Sequence, residues 1–121
     1  MIDINVYKLL HIVGFSAVIL ALGGSIIATF VTGDKPQSTR KLIALTHGIG
    51  LIIVLISGFG MLARLGITWP WPAWVYVKAM VWLLLGAFLS LSYKKKDAHQ
   101  GLWFGTLLLV AIAAGTALFK F

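Results

Sequence analysis

The sequence predicts an all-α membrane fold, and three observations predict it. Of the 121 residues, 60% are hydrophobic and only 11% are charged. The apolar residues gather into four runs of about twenty, the length a helix needs to cross a hydrocarbon core of about 30 Å. Charged residues and turn formers collect between those runs. The expected architecture is a polytopic four-helix transmembrane bundle with antiparallel neighbours, since short connections favour helices that return beside one another. Residues 1–121 leave no room for a water-soluble domain and read as one transmembrane domain.

The first helix is expected over about 6–31. Its approach, Met1 to Lys8, lacks a clear basic region, and the apolar run outlasts the core of a secretory signal, so it reads as a retained span. A polar connection from Thr32 to Lys41, containing Asp34, Lys35 and Pro36, separates it from a second helix over about 42–63. Arg64 to Pro72 forms the next connection, where Pro70 and Pro72 keep the chain extended and Trp69, Trp71 and Trp74 suit the headgroup level. The third helix is expected over about 73–92, a connection over Tyr93 to Gly101, and the fourth helix over about 102–119. Small residues should let these helices approach closely: Gly23 and Gly24, Gly48, Gly50, Gly58 and Gly60, Gly101 with Gly105, and Ala111 with Gly115.

Orientation follows from the cations. Lys35, Arg40, Lys41, Lys94, Lys95 and Lys96 flank one face, against Lys8, Arg64, Lys78 and Lys120 at the other, which places both termini on the outer side. A net charge of +7 clustered beside apolar spans points to a bilayer with anionic lipids, and not to nucleic acid. The expected location is a bacterial inner (cytoplasmic) membrane, with a homo-oligomer formed through the glycine faces as one arrangement.

Composition excludes several functions. There is no cysteine, hence no disulfide, thiolate metal site, covalent haem attachment or thiol catalysis. No span contains a carboxylate, which a small proton-coupled multidrug exporter would need. The only asparagine is Asn5, against the intramembrane asparagine and phenylalanine pairs of small fluoride channels. Hydrolase and phosphoryl-transfer motifs are missing as well.

What remains are the ionisable residues at depth. His11 and Lys78 each lie about five residues into their spans, roughly 7 Å at the helical rise, on helices running in the same direction. Trp74, Lys78 and Trp82 repeat at intervals of four on one helix face, Lys8 precedes His11 by three, and Arg64 ends the second helix at the same level. This cationic, aromatic-walled mouth suits a planar apolar ligand with acidic groups: a porphyrin, with His11 on iron and Lys8 or Arg64 on propionates, or a quinone. Gly14, on the face of His11, is small enough to admit a flat cofactor. Lys78 has two roles open to it, a neutral amine that ligates metal or a charged partner for an acidic group. Snorkelling lysines and a His11 hydrogen-bonded to a neighbouring helix form the alternative. His47 lies on a helix of opposite direction, nearly 20 Å along the axis from His11 by the same rise, so any metal there is a second site, reachable in a symmetric dimer. His99, beside the lysine run, is expected to be solvated.

Val6-Tyr7-Lys8-Leu9-Leu10-His11-Ile12, Arg40-Lys41-Leu42, Ser57-Gly58-Phe59-Gly60 and Trp74-Val75-Tyr76-Val77-Lys78 resemble HemJ-type protoporphyrinogen oxidases and small helical membrane proteins related to the copper-resistance D family. In HemJ-type proteins a first-helix histidine and a third-helix lysine mark the haem-associated site. The resemblance thus implies haem b at His11 with Lys78 nearby, and a redox or electron-transfer role. The tryptophan and Pro-Arg pair of that family's first helix, its histidine after the third helix and its Asn-Glu-x-Pro stretch have no counterpart at 17–30, 91–93 or 101–107. Haem binding is implied without the oxidase reaction. The alternative is a non-enzymatic membrane subunit or copper-resistance D-like metal-import protein without haem.

Overall fold

A computed structural model describes residues 3–32, 37–94 and 96–119. Four helices are present: α1 (Ile4–Thr32), α2 (Gln37–Arg64), α3 (Ala73–Lys94) and α4 (His99–Phe119), with a 3-10 turn at Lys96–Ala98 before α4. Each is long and apolar enough to cross a membrane, and no strand occurs among the described residues. Large apolar side chains such as Leu20 (75% exposed) and Leu118 (79%) face outward, as a lipid-facing surface requires.

The helix ends differ from expectation where local hydrogen bonding extends them. Asp3 caps α1, its Oδ1 accepting the Asn5 N–H at 3.0 Å and its carbonyl the Val6 N–H, so α1 begins before Val6. The polar residues Gln37 to Lys41 form the first turn of α2 instead of a loop. Asp34, Lys35, Lys95 and Lys120 lie outside the described residues. At the end of α2 the Ile67 N–H reaches the Leu62 carbonyl and the Gly66 N–H the Ala63 carbonyl, a closure that needs the positive φ of Gly66 (72°).

Expectation fails at Tyr93 to Gly101, which is not an open connection: α3 continues to Lys94 and α4 already begins at His99. His99 is half-buried and stacks on Phe30 at 3.7 Å between ring centroids, with 16° between planes. The exposed end of α1 offers an aromatic face, and a flat imidazole covers it better than water does.

Packing centres on α1, the most enclosed helix. Val18, Leu22 and Ile26 form one row at four-residue intervals and meet Val81 and Leu85 of α3 and Leu102 and Leu109 of α4. The same row, continued toward the start of α1 through Gly14, lies along α2. There Gly14 and Gly50 let the backbones touch: a Cβ on Gly50 would come within 2.8 Å of the Gly14 carbonyl oxygen. The buried face of α2 runs through Ile43, His47, Gly50 and Ser57, close to a heptad pattern built from small and polar residues. Gly60 packs against the Tyr7 ring and Gly105 against Phe88. Gly24, Gly48, Gly101 and Gly115 have no neighbour within 4 Å of where a Cβ would lie, so the expected packing role does not apply to them within the chain.

Candidate functional site

A cavity of about 680 Å³ opens in one half of the bundle. It is bounded by the first half of α1, the second half of α2, the first half of α3 and the second half of α4, with Leu65 and Trp71 of the intervening connection at its edge. The other half is closed by Leu22, Ile26, Leu102 and the buried Ser25–Ser92 hydrogen bond of 2.7 Å. The volume falls within the range of about 300–1,000 Å³ usual for cofactor sites.

His11, Lys78, Lys8, Trp74 and Trp82 all line this cavity. The Lys78 ammonium lies 5.8 Å from the centre of the Trp74 ring, within cation–π range. Lys8 is exposed at the rim. Arg64, exposed as the last residue of α2, is not among the lining residues, although its neighbours Leu62 and Leu65 are. Gly14 does not face the cavity either. A Cβ there would meet Ile53 at 2.8 Å, so its smallness serves the α1–α2 contact and makes no space for a cofactor.

The His11 ring is fixed by Ser57, whose Oγ lies 2.9 Å from Nδ1. Ser57 Oγ also lies 3.1 Å from the Val54 carbonyl, and both contacts are hydrogen bonds at once only when Ser57 donates to Val54. In that arrangement Ser57 accepts from His11, with the imidazole proton on Nδ1 and the Nε2 lone pair bare. Such an anchored imidazole is the form a metal-ligating histidine takes, its second nitrogen held by an outer partner. Gly58, 3.6 Å from His11 Cε1 at its would-be Cβ, makes room for the ring.

His47 stands elsewhere. It is only 3% exposed and its Nε2 donates to the Leu85 carbonyl at 3.1 Å, which commits the nitrogen best placed to bind a metal. Burial within the bundle also keeps it from meeting its copy across a dimer interface. Among the described residues no group of three or more His, Cys, Asp or Glu converges. Of these four residue types, the described residues that line the cavity include His11.

Sequence reasoning did not single out Ser57 as a site residue, nor Phe59 and Trp71, which line the cavity and lie 5.8 Å apart between ring centroids. The available signal for Ser57 was a hydroxyl inside an apolar run, which needs a partner in lipid. No protein-family model matches the chain, and no curated protein or solved structure matches it. Function is therefore read from the chemistry of the cavity.

Proposed function

We propose that this chain is an integral membrane haem-b-binding protein with a redox or electron-transfer role, in which His11 would hold the iron through Nε2. The observation that carries this is the proton count at Ser57, which leaves the His11 lone pair free at the wall of a large apolar cavity. A single anchored imidazole is too few ligands for a bare ion but enough for a metal that brings four nitrogens with it. That difference favours a porphyrin over a copper-resistance D-like site for free metal.

The chain's own residues supply the rest. Lys78, with its Nζ over the Trp74 ring, is suited as an ammonium to a carboxylate more than to metal. Lys8 adds a second cation at the rim, so two basic side chains border the cavity. Phe15, Trp82 and Leu85 exclude water from the deeper part. When bound, haem b supplies reversible one-electron redox chemistry.

The proposal includes the topology. The placement of α1 and α3 starts and α2 and α4 ends around one cavity agrees with antiparallel neighbours, and the cation bias sets that end, with both termini, at the outer face of a bacterial-type inner membrane.

Titration of the detergent-purified protein with haem b tests the reading by visible absorption. The native chain should develop a Soret band of a ligated haem, and His11→Ala should lose it or shift it to that of an unligated species. A band that His11→Ala leaves unchanged, or no band in the native chain, overturns the assignment.

A further inference from the structure

Helices α2 and α3 pack side by side over only a short stretch, yet two side chains tie them together at the bottom of the cavity. His47 of α2 donates from Nε2 to the Leu85 carbonyl of α3 at 3.1 Å. Trp82 of α3 donates from Nε1 to the Leu51 carbonyl of α2 at 3.0 Å. His47 and Leu51 are four residues apart on α2, and Trp82 and Leu85 three apart on α3, so each helix contributes one donor and one acceptor separated by one turn.

The reciprocity has a mechanical consequence. One hydrogen bond between two helices leaves them free to pivot about it, whereas two bonds about 5.4 Å apart along the axis fix both rotation and register. These ties join polar side chains to carbonyls in an apolar surrounding, where a donor without an acceptor costs about 1–3 kcal/mol. Sliding α3 along α2 would orphan both donors at once.

We infer that His47 and Trp82 are positioning residues, a double cross-tie that sets the register of α3 on α2 and so holds Lys78 opposite the His11–Ser57 pair. Leu51, Trp82 and Leu85 line the cavity, and Lys78 lies one turn from Trp82 on the same face. Ser57, which orients His11, belongs to the other tied helix. Trp82 thereby also forms the cavity's floor and limits how deep a flat ligand descends. The consequence for ligand binding rests on the haem reading above; the register itself does not.

The test separates the two. The chain has no native cysteine, so spin labels at Ile56→Cys on α2 and Leu83→Cys on α3, both exposed apolar positions, report the helix separation without ligand. His47→Ala should broaden and shift the interspin distance distribution and weaken haem b binding by about tenfold, the usual effect of losing an outer-shell partner. His47→Gln, which keeps an N–H donor, should retain the native distribution and affinity. A native distance distribution in His47→Ala, or a His47→Gln variant that behaves as His47→Ala, overturns the cross-tie. If the native chain binds no haem, the haem reading fails while the interspin distances still decide the register.

Discussion

The hydroxyl of Ser57 carries a single proton and has two neighbours for it, the Val54 carbonyl and His11 Nδ1, and both are hydrogen-bonded only when the carbonyl takes it. Everything proposed for His11 follows from that small fact, because it leaves Nδ1 as the donor and Nε2 open. Ser57→Ala should therefore weaken haem b binding by about tenfold while leaving some Soret absorption, since the ligand survives but its orientation is lost. Haem titration of the purified variant checks this, and an affinity equal to the native one would remove Ser57 from the site. His11 and Lys78 were legible in the sequence because an ionisable residue inside an apolar run is rare and needs a reason. Ser57 was not, because a serine in such a helix ordinarily satisfies itself on its own helix, and its bond to His11 spans 46 residues of chain. His99 was misread for a related reason: three lysines nearby mark the segment as polar, while Phe30, its stacking partner, is far away in sequence.

The contact between α1 and α2 depends on which glycines face a neighbour. Alanine in place of glycine within a helix gains about 1 kcal/mol of propensity. Overpacking a tight interface costs about 1–3 kcal/mol. At Gly50, where a Cβ would meet the Gly14 carbonyl at 2.8 Å and Val18 Cγ2 at 2.9 Å, the steric term wins. At Gly48 nothing lies within 4 Å and the propensity term stands alone. Thermal unfolding in detergent should thus place Gly50→Ala below the native midpoint and Gly48→Ala at or above it; equal midpoints for the two variants would contradict this account of the seam. The sequence marked both glycines alike, because small-residue spacing identifies a face without telling which helix covers it. The spans themselves were legible to within a few residues from length and apolarity alone, except at the starts of α2 and α4, whose polar first turns, Gln37 to Lys41 and His99 to Gly101, looked like connections.

At the level of the whole chain, four apolar helices and the cavity between them define, among the described residues, one end of the bundle as open and the other as closed. The proposed topology puts the open end at the outer face. Thr68→Cys, in the connection beside the mouth, should react with a membrane-impermeant maleimide on intact cells, and Gln100→Cys at the start of α4 only after permeabilisation. The opposite pattern would invert the topology and place the cavity in the inner leaflet. The existence of a bundle was readable from four apolar runs, but the splaying of one half was not, since it depends on where Val18, Leu22, Leu85 and Leu109 interlock. That interlocking gives the described residues the form of a basin, with Leu22, Ile26 and the Ser25–Ser92 pair closing the end away from the rim. On the proposed reading, whatever settles in the basin enters and leaves over that same rim.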